Sequence, residues 1–250
     1  MEATVIIPTF RHSKALLTRA IESVVSQTIF SRCRVIVSDD CSGSGTFRGL
    51  ASEYSHLENI EFRENASNKG IMPHYSDLSE LVSTEFTAIL EGDDCWEGGS
   101  RLERQISLLR SFANSDLCFG RVLVDLVDKK EAIIRPVVSN SLNRLVHFEE
   151  ILSDNYIATF SNCTYRTAAW KSSVQAAQDG YDWLTNLLVI DRNPAIFLND
   201  VITRYHVTAS GSWSGLLSKN KKAKIALTLS ALANALPQRR LYISEVMRAL

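Results

Sequence analysis

The chain has 250 residues, 45% of them hydrophobic, enough to bury one large core or two smaller lobes that share an interface. Its 27 basic and 28 acidic residues give a formal net charge of -1, so the chain has no global field to hold a polyanion such as nucleic acid. Any phosphate binding must therefore be local, and no nucleic-acid partner is expected.

Cysteine usage and hydropathy favour a cytoplasmic location. The five cysteines form no C-x-x-C pair, which argues against a disulfide framework or a structural zinc site. The N-terminus runs into an apolar segment without the basic region of a signal peptide. No stretch reaches the roughly 20 apolar residues needed to span a bilayer.

Short apolar runs alternate with helical patterns in the N-terminal half. Val5–Ile7 is followed by 16–25, where apolar residues recur at helical spacing. Residues 35–37, 60–62 and 86–90 are further apolar runs that end at polar loops. Nearly continuous hydrophobic strands separated by helices indicate a parallel sheet covered on both faces, with the ligand at the carboxyl ends of its strands.

The pattern changes beyond about residue 115. Residues 117–127 and 132–138 are predicted as strands around a turn, and a helical tail begins near Lys219. We therefore predict a second lobe packed on the first rather than an independent domain.

Two acidic loops follow predicted strands. Glu91, Asp93 and Asp94 crowd together, which is unfavourable unless a cation neutralises them, and carboxylate oxygens suit Mg²⁺ or Mn²⁺. The alternative is a solvated acidic turn before a helix. In the other loop, Asp39 and Asp40 can accept the N–H of a nucleobase, or can instead hold a turn or a helix cap.

Six segments, taken in order, resemble those of family 2 glycosyltransferases with the GT-A fold. Val35–Ser42 is similar to a "VVDDGS" segment, and Leu90–Trp96 resembles the metal-binding segment in the "EGDDYW" form of a bacterial subgroup. The other four are Val5–Phe10, the "N-x-G" loop Asn65–Gly70, the acceptor-side segment Gly180–Trp183 and the closing segment Arg204–Ser214.

This resemblance implies an α/β fold with a Rossmann-like, mostly parallel sheet, a smaller acceptor-side lobe and a helical C-terminal tail. Residues 1–115 would bind the nucleotide sugar, 116–215 would form the acceptor-side catalytic lobe on the same sheet, and 216–250 would be C-terminal helices. The implied reaction moves a sugar, with inversion, from a nucleotide-diphosphate donor to a glycan or lipid-linked glycan hydroxyl. UDP is the expected nucleotide, Mn²⁺ or Mg²⁺ the expected cofactor, and synthesis of a surface polysaccharide or glycolipid the expected context.

The resemblance also implies roles for individual residues. Asp182 would be the general base that takes the proton of the acceptor hydroxyl. The nucleotide would contact Pro8, Thr9, Phe10, Asp39, Asp40, Asn68, Lys69 and Gly70. The donor sugar or the acceptor would contact Asp94, Trp96, Ser161, Asn162 and Trp183, and the metal would be held by Asp93, Glu91 and His206.

Two positions depart from the family pattern. Glu91 stands where the first aspartate of the metal-binding segment is usual, and Cys41 stands in place of the glycine of "DDGS". Their effects on the metal ligands and on the turn near the base stay open.

Several other assignments have alternatives. Asp191 and Asp200 compete with Asp182 as the base, and Arg166 is a candidate phosphate contact. His12 and His74 are expected at the surface.

The basic start of the helical tail, from Lys219 to Lys224, can rest on an anionic membrane surface, or the tail can pack as a helix pair on the second lobe. The competing functions are a nucleotidyltransferase, which would need a glycine-rich basic loop after the first strand, and a non-catalytic homologue that binds nucleotide or glycan. The sequence predicts no particular oligomeric state.

Overall fold

The computed structural model describes residues 1–43, 45–137, 142–155, 157–177, 180–207 and 221–249. Its strands are β1 (Ala3–Thr9), β2 (Cys33–Asp39), β3 (Ile60–Glu64), β4 (Phe86–Ile89), β5 (Cys95–Trp96), β6 (Leu117–Leu126), β7 (Glu131–Arg135), β8 (Arg144–Val146), β9 (Cys163–Arg166) and β10 (Ala195–Val207). Its α-helices are α1 (Lys14–Val25), α2 (Gly45–Glu53), α3 (Ile71–Glu80), α4 (Arg101–Ser111), α5 (Phe148–Ser153), α6 (Thr167–Ala176), α7 (Asp182–Val189), α8 (Lys221–Ala235) and α9 (Arg240–Ala249).

The described strands form one sheet in the order β3-β2-β1-β4-β9-β6-β10-β5, with β7 paired to β6 and β8 paired to β10. The four N-terminal strands β3, β2, β1 and β4 are parallel to one another, as predicted. Beyond them the sheet is mixed, because β9 runs antiparallel to both β4 and β6. The α/β prediction is therefore confirmed, and strands from the second half of the chain continue the same sheet.

The core lies on both faces of the sheet. Val5 and Ile7 of β1 pack with Leu17 and Ile21 of α1 on one face. Ile6 packs on the other face, in a cluster that α3, α6 and α7 cover. Neighbouring strand residues point to opposite faces, so a strand that is hydrophobic at every position is buried from both sides.

The carboxyl ends of β1, β2 and β4 meet at one edge of the sheet. The N–H of Asp40 donates to the carbonyl of Thr9 at 2.9 Å, and the N–H of Gly92 donates to the carbonyl of Pro8 at 3.0 Å. These bonds join the three loops directly. The predicted ligand edge is therefore a single connected surface in which both acidic loops lie.

No helix within the described ranges is long and apolar enough to cross a membrane. Lys219 and the segment 208–214 of the closing motif lie outside the described residues. The prediction that the basic start of the tail contacts a membrane therefore stays a prediction.

Candidate active site

Gly92 lets the acidic loop approach the end of β1. A Cβ atom at this position would lie 2.8 Å from His12 Nδ1 and 3.0 Å from Thr9 Cβ. Thr9 Oγ1 and His12 Nδ1 are themselves hydrogen-bonded at 3.1 Å, so these side chains are held in place. His12, expected at the surface, instead helps to shape the site.

We expect Gly92→Ala to destabilise the fold by about 1–3 kcal/mol, because the added methyl group has no room and the acidic loop must shift. Chemical denaturation would measure this change. Gly49→Ala is the matched control, since a Cβ at that exposed position of α2 meets nothing within 4 Å. It should stabilise the helix by roughly 0.5–1 kcal/mol. Equal effects of the two substitutions would contradict the close approach.

Asp94 is buried and its carboxylate is fully engaged. Ser161 donates its hydroxyl to Oδ2, and the N–H of His206 donates to Oδ1 at 2.9 Å. Burial and the neighbouring acids Asp93 and Glu91 raise the pKa of this carboxyl well above its usual value. Asp94 therefore links the acidic loop to β10 and to the Phe160–Asn162 turn, and its predicted contact with the sugar stays untested.

Glu91 turns inward rather than toward solvent. Its Oε2 accepts a hydrogen bond from Thr159 Oγ1 at 2.7 Å, and the hydroxyl of Tyr75 lies 3.5 Å from Oε1. Burial, followed by the charge of Asp93, raises the pKa of Glu91 to about 8. This carboxyl is mostly protonated at neutral pH in the structure as it stands.

Asp93 is the open member of the acidic loop. Its side chain is 25% exposed, and Oδ2 lies 3.8 Å from His12 Nε2. Its backbone carbonyl accepts a hydrogen bond from Arg19 at 2.8 Å, which fixes the loop. The carboxylate accepts no hydrogen bond from the described residues, so it is available to a ligand.

Asp182 is the first residue of α7 and lies in the same region. Its Oδ1 accepts the N–H of Trp183 at 2.8 Å, and burial raises its pKa to about 7. The charge of Asp182 also raises the pKa values of Glu91 and Tyr75. Asp182 therefore interacts electrostatically with the acidic loop.

The two alternative candidates for the general base, Asp191 and Asp200, are already bonded to other side chains. Asp191 accepts hydrogen bonds from Gln238 and Arg239, and Asp200 forms an ion pair with Arg104. A carboxylate paired with arginine must break that pair before it can meet an acceptor hydroxyl. These contacts favour Asp182 over both.

Asp39 and Asp40 both organise loops. Asp39 accepts the N–H and hydroxyl of Ser42, which is the turn alternative raised by the sequence. Asp40 is itself buried, which raises its pKa, but hydrogen bonds from Asn65, Lys69 and Gly70 outweigh burial and lower it. The carboxylate of Asp40 is thereby used inside the protein, and nucleobase contacts by the pair stay predictions.

The turn after these acids carries a strained residue. Cys41 has a φ of 65°, in the left-handed region that favours glycine. The family glycine therefore corresponds to a real backbone requirement, which this chain meets with a cysteine.

The other predicted nucleotide contacts lie at the end of β1 and in the loop between β3 and α3. Phe10 is partly exposed beneath the guanidinium of Arg11, and Gly70 precedes α3 with a φ of 82°. Asn68 donates to the carbonyl of Asp40 at 3.3 Å, and the ammonium of Lys69 pairs with Asp77. With Pro8 and Thr9, these residues flank the ligand edge.

Four predicted sugar contacts are buried in the core. The indole N–H of Trp96 donates to the carbonyl of Ser161 at 3.0 Å, and that of Trp183 donates to the carbonyl of Ile151 at 2.8 Å. Asn162 bonds both backbone groups of Gly120. These positions count against direct stacking or bonding to a sugar by Trp96, Trp183, Ser161 and Asn162.

Two expectations about residues outside the acidic loops are wrong. His74 is buried, not at the surface, and its Nε2 is hydrogen-bonded to Ser38 at 2.8 Å. Arg166 pairs with Phe86 at the start of β4, so it lies at the end of the sheet opposite the acidic loop and cannot reach phosphates there.

Sequence reasoning missed Tyr75 and Thr159. Tyr75 has a polar hydroxyl on an otherwise apolar helical face with Met72 and Leu78, a pattern that hinted at a buried polar site. Thr159 lies in a segment without any recognisable motif, and only the fold brings it to the acids.

The side chains fit a cation that is shared with a ligand. Within the described ranges, no group of three or more His, Cys, Asp or Glu side chains forms a ready-made metal site. Asp93 nevertheless has a partly exposed carboxylate that accepts no hydrogen bond from the described residues, and carboxylate oxygens are ligands that a hard cation prefers. His206 Nδ1 is buried without a hydrogen-bond partner in the described structure, so it is a further candidate donor.

Comparison with known proteins agrees with this architecture. The model of the family described as "Glycosyl transferase family 2" matches residues 4–171, about two thirds of the chain. The chain belongs to glycosyl transferase family 2. Uncharacterized proteins of Mycobacterium tuberculosis (Rv1520) and Mycobacterium bovis (Mb1547) are each 24% identical over 210 residues, which cover 82% of this chain and 59% of theirs.

The solved structures that resemble this fold include Staphylococcus aureus TarS. Its 1-349 fragment superposes with a TM-score of 0.67 at 18% identity, covering 94% of this chain and 66% of that one. The same fragment in complex with UDP-GlcNAc has a TM-score of 0.65, also at 18% identity, over 96% of this chain and 72% of that one. The fold of this chain is therefore the GT-A fold, and the chain spans about three fifths of the length of the mycobacterial relatives, 59%.

Proposed function

We propose that this chain transfers a sugar from a nucleotide-diphosphate donor to an acceptor hydroxyl. One observation carries the proposal: a carboxylate open to a ligand, Asp93, and a partly buried carboxyl with a pKa of about 7, Asp182, both interact electrostatically with Glu91 beside the ligand edge of a GT-A sheet. Family membership and the likeness to a fold solved with UDP-GlcNAc support it, and favour UDP as the nucleotide.

Asp93 and Asp182 have different proposed roles. Asp93, with Glu91 and His206 as neighbouring candidates, would hold Mn²⁺ or Mg²⁺, and the cation would neutralise the departing diphosphate. Asp182 would act on the acceptor. Its Oδ1 is bonded to the N–H of Trp183, which leaves Oδ2 to take the hydroxyl proton.

Direct displacement accounts for the proposed inversion of configuration. The acceptor oxygen bonds to the anomeric carbon from one side while the bond to the diphosphate oxygen breaks on the other. A base near pKa 7 is well matched to neutral pH, because it is substantially deprotonated and still accepts a proton readily. We further propose membership of the "EGDDYW"-type subgroup, a role in bacterial surface glycan synthesis and a cytoplasmic site of action.

Thermal-shift measurements with UDP, GDP and dTDP, with and without Mn²⁺, test donor binding. A ligand at 100 times its Kd stabilises the fold by about 2.7 kcal/mol, which corresponds to a rise in Tm of roughly 5–10 °C for a chain of this size. We expect UDP with Mn²⁺ to produce this shift. No shift with any nucleoside diphosphate would contradict the proposal.

Release of UDP from UDP-sugars in the presence of acceptor mixtures then tests catalysis. Turnover separates a transferase from a homologue that only binds. Formation of a nucleotide sugar from a nucleoside triphosphate and a sugar phosphate would instead identify the competing nucleotidyltransferase.

A further inference from the structure

Strand β7 projects from the sheet with both faces open. All five of its residues are exposed, and within the described ranges it pairs only with β6. Ile133 is 41% and Ile134 is 39% exposed, although neighbouring residues point to opposite faces of a strand. Val137, two residues beyond the strand, is 85% exposed. An edge of this kind offers unpaired backbone groups and apolar side chains to another strand.

The two charged residues of β7 stand at its two ends. Glu131 begins the strand and Arg135 ends it, and neither forms an ion pair with a described residue. The strand therefore reads as an acid, three apolar residues and a base. In an antiparallel arrangement such a strand is complementary to itself, because its acidic end meets the basic end of its copy.

We infer that two copies of this chain associate through the outer edges of their β7 strands, paired antiparallel about a two-fold axis at Ile133. In this register Glu131 lies opposite the partner's Arg135, and Arg135 lies opposite the partner's Glu131. Ile133 lies opposite the partner's Ile133, so the apolar centre is covered on one face. The contact is isologous, as a closed dimer requires.

Other registers of the two β7 strands lose the pairing of Glu131 with the partner's Arg135. A shift by two residues in one direction places Arg135 opposite the partner's Lys129, which joins like charges. The opposite shift places Arg135 opposite the partner's Ile133 and leaves both charges unpaired. Parallel pairing in register sets each charge beside its own copy. The charge pattern therefore selects one arrangement, and the inference does not depend on the proposed catalytic function.

Sedimentation analysis over a wide range of protein concentration tests the dimer. We expect a reversible monomer–dimer equilibrium for the natural chain. Glu131→Arg and Arg135→Glu should each raise the dimer Kd by about tenfold or more, since each sets like charges opposite one another twice. The double substitution Glu131→Arg with Arg135→Glu should restore association, because it exchanges the charges and keeps them complementary.

Two further variants make the result unambiguous. Glu58→Arg changes the net charge by the same amount at an exposed position outside β7, and it should leave the equilibrium unchanged. Ile133→Lys should abolish the dimer by placing two ammonium groups at the axis. Circular dichroism would confirm that each variant is folded. The inference would be overturned if the natural chain stayed monomeric at all concentrations. It would also be overturned if the single charge substitutions left the dimer Kd unchanged, or if the double substitution did not restore association.

Discussion

Asp182→Asn is expected to reduce kcat by about 10²–10⁴, because an amide cannot take the proton of the acceptor hydroxyl. The side chains are nearly isosteric, so Oδ1 can still accept the N–H of Trp183 and the start of α7 should persist. Donor affinity should therefore change little. Initial rates with saturating donor and acceptor, together with calorimetric titration of the donor, would measure both quantities.

The pH profile gives this prediction a second readout. Only the deprotonated carboxylate of Asp182 can act as a base, and burial raises its pKa to about 7. We therefore expect kcat of the natural enzyme to rise with pH up to about 7 and to level off above it. The residual rate of Asp182→Asn should lack this inflection.

Asp200→Asn is the matched control for the base. It makes the same chemical change at a carboxylate that forms an exposed ion pair with Arg104. Its kcat should remain close to that of the natural enzyme. Transfer retained by Asp182→Asn, or lost equally in Asp200→Asn, would place the base elsewhere.

Asp93→Ala is expected to weaken Mn²⁺-dependent binding of UDP and to lower transfer, each by about 10²–10³. Asp93 is the carboxylate of the acidic loop that is open to a ligand, whereas Asp94 and Glu91 are bonded within the protein. Removing the Asp93 carboxylate should remove the proposed protein ligand of the cation. Titration of UDP at several Mn²⁺ concentrations would separate loss of metal binding from loss of nucleotide binding.

The control here is Asp116→Asn. Asp116 accepts a hydrogen bond from Asn193 and lies near Arg166, at the end of the sheet opposite the acidic loop. The Asp116→Asn substitution should leave the Mn²⁺ dependence of UDP binding unchanged. If Asp93→Ala bound UDP with the same dependence on Mn²⁺ as the natural chain, Asp93 would not be a metal ligand. If the natural chain bound UDP equally well without a metal, the proposed metal site would also be contradicted.

The fold and the position of the acidic loops were predictable because both depend on local patterns. The apolar runs at Val5–Ile7 and 35–37 are β1 and β2, and the loops after β2 and β4 carry their acids to the predicted edge. The mixed arrangement of the second half was not predictable. Strand β9 enters between β4 and β6, and no local pattern specifies which strands it will join.

The roles of individual acids were less accessible to sequence reasoning. Glu91, Asp93 and Asp94 are all acids in one short loop, yet of the three only the Asp93 carboxylate accepts no hydrogen bond from the described residues. The partners that distinguish them are 68 residues away for Glu91 and Thr159, and 112 residues away for Asp94 and His206. The same distance effect hid the burial of His74, whose partner Ser38 is 36 residues away, and that of Trp96, whose indole donates to a carbonyl 65 residues away.

By itself, the sequence determined the α/β class, the edge of the sheet at which we predict ligand binding and the carboxylates that lie there, since these follow from residue spacing along the chain. The tertiary structure alone decided which carboxyls are open, which are protonated at neutral pH and which indoles are core. Those properties depend on desolvation and on hydrogen-bond donors from remote segments. Burial raises the pKa of Asp182 to about 7, and that environment exists only when the chain is folded.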